Sequence, residues 1–227
     1  MRIYVVDLET TGLGGYKNGD LVLEIGIAVL ETITGKVKVV YDQVLSHPPE
    51  KIEPHRNAWI FKNSSLSYEE VVNGKPVTEA ANEIRTILQG RKMAIYNVAF
   101  DFERFLKWPP YNLGEVIAGI LPCIMVTATN VCKIRSRFYG YKWPTLEEAR
   151  RKLLPDIQLP KNFNPHRAAS DAYLSALVLH QLIQLGQYNI NDRYLLQQPE
   201  RIERTSSPYQ NTAKVSFDDF LKGKRID

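Results

Sequence analysis

At 227 residues, 44% of them hydrophobic and without internal repeats or low-complexity tracts, the chain has enough apolar material for one well-buried domain and is neither a solenoid nor a wholly disordered protein. No apolar run approaches the roughly 20 residues a bilayer demands, and a strand-like pattern begins by Ile3 where a secretory leader would stand, so the expectation is an intracellular, cytoplasmic protein with no membrane association. Cys123 and Cys132 are too few for a zinc site or a disulfide framework and read as core thiols, while the net charge of +4 is compatible with a polyanionic partner without specifying one.

Ile3-Tyr4-Val5-Val6 is short, apolar and rich in β-branched residues, as is the run over residues 21–30, and both read as buried strands. Gly12, Gly14, Gly15 and Gly19 make the connection between them a loop. Val37, Val39 and Tyr41 predict a third strand, and three such strands joined by short loops form an antiparallel meander. Ala80, Ala81, Ile84, Ile87 and Leu88 have helical spacing and are followed by Gly90, predicting a helix over residues 77–88. A further strand at 93–96 leads into a short helix containing Phe100, Phe102, Phe105 and Leu106, which Pro109 and Pro110 stop. Helices are expected at 146–154 and 168–185. The order of elements predicts an α/β fold, a mixed sheet covered by helices. From Gly186 the periodicity is lost, which divides the chain into a domain over 1–186 and a C-terminal extension over 187–227.

Three motifs carry chemistry. Asp7 and Glu9 stand two residues apart at the end of the first strand, and residues i and i+2 share a strand face at about 6.5 to 7 Å. Asp101 follows the strand at 93–96 at the start of a helix, a position that by itself also suits an acid placed against the helix dipole. His166 and Asp171 are five residues apart, which on one regular helix turns them about 140° from each other. Asn164-Pro165 marks a helix start, so His166 is expected in the preceding loop or first irregular turn and Asp171 inside the helix, from where both can face one cleft. Taken singly, the acids are ordinary strand-end or capping groups and the histidine an ordinary surface residue. Four carboxylates without a cysteine cluster form a hard oxygen-donor set suited to magnesium or manganese.

Together, and in this order, the motifs resemble the DEDDh branch of the DnaQ-like exonucleases, whose fold is ribonuclease H-like. Asp7 to Leu13 matches the Asp-x-Glu-Thr-Thr-Gly-Leu motif throughout. Asn97 to Asp101 follows the second motif, with Tyr96 where its histidine normally stands, and His166 to Asp171 fits His-x-x-x-x-Asp. Pro122-Cys123-Ile124-Met125 and Tyr141-Lys142-Trp143-Pro144-Thr145-Leu146 are similar to the exonuclease X-like group. The resemblance implies that Asp7, Glu9, Asp101 and Asp171 bind two Mg2+ or Mn2+ ions, that His166 is the general base, and that single nucleotides leave a 3′ end as 5′-monophosphates. Thr10, Thr11, Gly12 and Leu13 are expected to hold the terminal nucleotide, since glycine allows close backbone approach and Leu13 can pack on a base face, with Asn97 and Phe100 as further contact candidates; ordinary core packing is the alternative for Leu13 and Phe100.

Between the second and third motifs, Lys133, Arg135, Arg137, Phe138, Tyr139, Tyr141, Lys142 and Trp143 interleave cations with rings, the pattern of a single-stranded track; a solvated loop anchored by its aromatics is the plainer alternative. Arg135 and Arg137 are the candidates to guide a strand inward. The expected partner is the 3′ end of single-stranded DNA, with RNA as the first alternative and a catalytically silent nucleic-acid-binding module as the second. The extension, including Phe217 to Leu221, is a candidate surface for a second subunit, substrate or a replication or repair partner, with simple packing against the parent domain as the plainer expectation. No Gly-x-Ser-x-Gly elbow and no phosphate-binding Gly-x-x-x-x-Gly-Lys-Ser/Thr loop is present, which leaves serine hydrolase and nucleotide-triphosphatase chemistry without support.

Overall fold

Ile3, Val5, Val6 and Leu8 are all buried, so the strand they form, β1 (Arg2–Thr10), is covered on both faces. In the computed structural model, which describes residues 1–137 and 139–194, β1 lies inside a six-stranded sheet. β2 (Val22–Glu31) pairs antiparallel with β1, and β3 (Val37–Ser46) antiparallel with β2, giving the expected meander. β5 (Lys92–Ile95) runs parallel to β1 on its other side. Two-residue edge strands, β4 (Lys75–Pro76) beside β3 and β6 (Gly119–Ile120) beside β5, complete the order β4-β3-β2-β1-β5-β6.

Helices cover the sheet as expected. α4 (Val77–Leu88) buries Ala80, Ala81, Ile84 and Leu88 along one stripe, and each large aliphatic side chain so buried contributes roughly 2 kcal/mol. α7 (Leu146–Leu153) begins with a capping box in which Thr145 accepts from the Glu148 N–H and Glu148 accepts from the Thr145 N–H. α8 (Ala168–Gln184) packs across β1, β2 and β3, burying Ala172, Ala176, Val178, Leu179 and Leu182. Cys123 and Cys132 are both buried and unbridged. No helix among the described residues is long and apolar enough to cross a membrane.

Sequence periodicity left several elements unread. β3 runs on to Ser46, past the polar pair Asp42-Gln43 that ends its apolar pattern, because pairing with β2 continues through Gln43 and Val44. The stretch after it holds α1 (Pro49–Ile52), α2 (Ile60–Asn63) and α3 (Tyr68–Val72), each a single turn or little more, built over a small core of Leu23, Ile52, Ile60, Leu66 and Val71. Elements this short show no 3.6-residue repeat, although the Ser67-x-x-Glu70 capping box announces α3. α6 (Ile124–Cys132) is a β-branched, threonine-rich helix held by packing and not by intrinsic propensity. The helix expected around residue 100 starts as α5 (Val98–Phe100) and widens into a π-helical stretch, Asp101–Leu106.

The compact unit continues to Tyr194. Past Gly186, Tyr188 is buried with its hydroxyl on the Pro122 carbonyl, Lys92 Nζ donates to the Ile190 carbonyl at 3.0 Å, and the Tyr194 N–H donates to the Ile120 carbonyl at 2.8 Å. Residues 195–227, with the Phe217 to Leu221 segment, lie outside the described residues.

Candidate active site

β1 reaches Thr10, so Asp7 and Glu9 lie within its last turn of pleat and project from the same face. Opposite them on β2 stand Gly26 and Glu24, by the register Asp7↔Gly26 and Glu9↔Glu24. The end of β5 lies beside Val6, and the chain leaving it turns at Asn97 into α5, which brings Asp101 back over the acidic end of β1. Asp101 does not stand at the first position of the helix: α5 begins at Val98, and Asp101, 5% exposed, opens the π-helical stretch three residues later, its carboxylate accepting from the backbone N–H groups of Asn97 and of Asp101 itself. A widened turn re-aims the side chains that follow it, and such turns recur at functional sites.

The remaining two groups come from the entry to α8. Arg167 is the N-cap residue, so His166 sits in the loop and Asp171 in the first turn, the arrangement that relieves the five-residue angular mismatch. His166 takes a left-handed backbone conformation, φ 59°, and its N–H donates to Asp171 Oδ2 at 3.2 Å. Ligand atoms of Glu9, His166 and Asp171 lie within 4.8 Å of one another. Asp7 and Asp101 belong to the same electrostatic cluster: Asp101, Asp171 and Glu9 all act on Asp7, and Asp171 and Asp101 both act on Glu9.

Burial, followed by mutual repulsion, makes this cluster reluctant to ionise. Desolvation raises Asp7 well above the usual carboxylate range, and Asp101, Asp171, Glu9 and Glu24 add to it. Glu9 is pushed up to about 9 by burial and then by Asp171, Glu24 and Asp101, with Arg167 opposing. Asp171 rises to about 7, mainly through burial, against the His166 N–H that favours its anion. Asp101 is raised well above its usual value, chiefly by burial. Acids crowded together and removed from water are stable as anions only when positive charge enters among them. Their oxygen-only donor set fits hard divalent cations, with Asp7, Glu9, Asp101 and Asp171 as the groups available to hold them.

Substrate-side candidates divide by what their polar groups already do. The Thr10 hydroxyl donates to the Gly12 carbonyl at 2.9 Å, and the Thr11 hydroxyl accepts from the Leu21 N–H at 2.9 Å, so both fasten the loop. A Cβ at Gly12 would overlap the Asp20 carboxylate, which accepts from the Gly14 and Gly15 N–H groups at 2.6 and 3.0 Å. Leu13 at the loop's crest is 39% exposed. Asn97 Oδ1 is buried with no hydrogen-bond partner among the described residues. Phe100 is half-buried, edge-on to Phe105 at 5.4 Å. Tyr96, the departure from the second motif, is a core residue whose hydroxyl donates to the Pro144 carbonyl at 2.9 Å. Arg135 and Arg137 are exposed and Arg135 bridges to Tyr141, whereas Lys142 is engaged by Glu148 at 2.6 Å.

Sequence reasoning missed three supports of the site. Glu24 is completely buried and accepts from Arg167 Nε at 2.9 Å and from the Ala168 N–H at 3.0 Å, tying the start of α8 to β2. Burial raises its pKa while Arg167 and the Ala168 N–H pull it down. A Cβ at Gly26 would overlap the backbone of Ala168 and Ala169, so only glycine lets α8 approach here. Trp59, 60% exposed, stands edge-on to the His166 ring at 5.7 Å. Glu24 and Gly26 are hidden within an apolar strand run, and a lone tryptophan between two single-turn helices carries no motif.

The sequence model of the exonuclease family RNase_T matches residues 4–179. The chain is 28% identical over 184 residues to the 3′–5′ exonuclease DinG of Bacillus subtilis (strain 168), a match covering 81% of this chain and 18% of that protein; the chain thus spans about a fifth of the length of that curated relative. Escherichia coli Exonuclease I in complex with a dA16 oligonucleotide superposes with a TM-score of 0.55 at 12% identity, covering 81% of this chain and 41% of that one. The nuclease domain of 3′hExo, a DEDDh family member bound to rAMP, superposes with a TM-score of 0.54 at 15% identity, covering 85% and 97%. At such identities the structural likeness is one of fold, a mixed sheet flanked by helices.

Proposed function

The chain belongs to the exonuclease family, and on that premise we propose that it removes nucleotides one at a time from the 3′ end of single-stranded DNA by hydrolysis dependent on Mg2+ or Mn2+. The observation that carries this reading is the convergence of Glu9, His166 and Asp171 within 4.8 Å, inside a cluster of buried acids completed by Asp7 and Asp101. A protein that only bound nucleic acid would have no use for four carboxylates facing phosphate.

In this reading Asp7, Glu9, Asp101 and Asp171 hold a pair of divalent cations. The cations, when bound, neutralise the scissile phosphate and the charge that develops on its entering and leaving oxygens. His166 takes the proton from the attacking water, a task suited to imidazole because that group as a class titrates near neutrality. The water oxygen bonds to phosphorus as the bond from phosphorus to the O3′ of the preceding nucleotide breaks. The shortened strand keeps that oxygen as its new 3′-hydroxyl, and a nucleoside 5′-monophosphate leaves. Leu13 packs against the terminal base, and Asn97 Oδ1 offers an unpartnered acceptor beside Asp101. Trp59 walls the His166 side of the cleft.

RNA is the second reading, favoured by the neighbour that carries rAMP; discrimination rests on contacts to the 2′-hydroxyl. The test is timed digestion of 5′-labelled single- and double-stranded DNA and RNA with magnesium, manganese or chelator. The expected result is a ladder shortening from the 3′ end that chelator stops and that Asp7→Ala and His166→Ala nearly abolish. Undiminished cleavage by Asp7→Ala would contradict the assignment of the acids, and release of no mononucleotide from any substrate would leave a binding module in its place.

A further inference from the structure

We propose that Tyr16, Trp108 and Lys17 form a stacking platform on the segments next to the acid cluster that binds unpaired bases of the substrate strand upstream of its 3′ terminus. The proposal rests on the exonuclease reading and specifies which form of nucleic acid that site prefers. Tyr16 lies on a single 3-10 turn, Tyr16–Asn18, in the loop that follows Leu13. Its ring and that of Trp108 are almost parallel, 6° apart in plane with centroids 6.3 Å apart, an offset stack. Lys17 Nζ stands 4.3 Å from the centre of the Trp108 ring. Tyr16 is nevertheless 45% exposed, so the stack does not serve to bury it.

Position ties this patch to the catalytic groups. The Trp108 Nε1–H donates to the Glu103 carbonyl at 2.9 Å, in the same π-helical stretch that carries Asp101. Arg104, from that stretch, donates to the carbonyl of Leu13, the residue at the crest of the loop. Asp20 gathers the Gly14 and Gly15 N–H groups and holds the loop in its fold. The platform therefore rests on the loop that follows the first motif and on the stretch that carries Asp101, and in this proposal a strand with its terminus at Leu13 continues over Tyr16. Every base has a face that a ring accepts regardless of sequence, and an ammonium beside the rings suits the accompanying phosphate. In a duplex those base faces are covered by neighbouring pairs, so the platform engages single strands.

The test is equilibrium binding in chelator, where no cleavage occurs, of a labelled single-stranded oligonucleotide of about ten nucleotides and of a blunt duplex of the same sequence. Tyr16→Ala, at an exposed position whose folding is checked by its melting temperature, is expected to raise the single-strand Kd about tenfold and to narrow the preference for single strand over duplex. Lys17→Gln is expected to reduce the slope of log Kd against log salt by about 0.7, the loss of one phosphate contact on a single strand. A Tyr16→Ala protein that binds the single strand as tightly as the wild type, or one that weakens single strand and duplex equally, would overturn the platform. Failure of the exonuclease reading has a separate signature: wild-type protein with magnesium leaves the oligonucleotide intact, while the chelator titrations still report on the rings.

Discussion

Burial, and then neighbouring acids, push Glu9 up to about 9 and Asp171 up to about 7 by disfavouring the anions. An acid whose pKa is higher folded than unfolded binds its proton more tightly in the native state. The stability it contributes is therefore complete below about pH 4, where the unfolded chain is also protonated, and is lost as pH rises through the folded value. In chelator the melting temperature should accordingly fall between about pH 5 and about pH 9, and Mg2+ or Mn2+ should restore it, most strongly at the alkaline end, because the cations bind the ionised acids. Asp171→Asn should flatten the neutral part of that decline; thermal melts across pH check this, and a level profile in chelator would refute it. His166 contributes backbone strain, since its left-handed conformation suits glycine better than a residue with a Cβ. His166→Gly should gain about 1 kcal/mol over His166→Ala in denaturant unfolding while both lack hydrolytic activity. If the two unfold alike, the strain is absent.

At the scale of elements, the site depends on α8 meeting β2 without an intervening side chain. Gly26 faces the backbone of Ala168 and Ala169, atoms that cannot swing aside as a flexible side chain would. Gly26→Ala should therefore displace the start of α8 and with it Asp171 and the His166 loop, costing about 1 to 3 kcal/mol of stability and at least about tenfold in kcat, since small misplacements of catalytic groups are costly. Circular dichroism melts and single-turnover digestion measure the two effects; full activity in this variant would show that the contact does not position the site. Glu24 and Arg167 fasten the same junction by hydrogen bonds. Of these elements, α4 and α8 were readable from helical spacing, and β1 from its β-branched run. The turn segments between β3 and α4 were not, because a one-turn helix is stabilised by tertiary packing such as the cluster of Leu23, Ile52, Ile60, Leu66 and Val71 and leaves no periodic trace.

For the molecule as a whole, the proposed substrate is a polyanion and the proposed site a cluster of acids. Arg135 and Arg137 are exposed, and Lys17 stands over the Trp108 ring. Reversing both arginines to glutamate should weaken single-strand binding and reduce its salt slope by about 1.4, two phosphate contacts at about 0.7 each. An unchanged slope would leave this turn as a solvated loop, the plainer of its two sequence readings.

The one-dimensional pattern was sufficient to single out five candidate groups, because Asp7 to Leu13, Asn97 to Asp101 and His166 to Asp171 are local motifs that carry the family resemblance, and the folded chain brings Glu9, His166 and Asp171 within 4.8 Å of one another. The pattern also determined the mixed sheet, since strand and helix periods are properties of consecutive residues. Only the folded chain decided which groups surround that chemistry. Glu24 is an acid in an apolar strand until Arg167, 143 positions later, is seen to pair with it. Gly26 is unremarked until α8 lands on it, and Tyr16 and Trp108 become a stack only when the loop after β1 meets the end of the π-helical stretch. These are contacts between distant segments, and the packing that creates them leaves no spacing in the sequence to read.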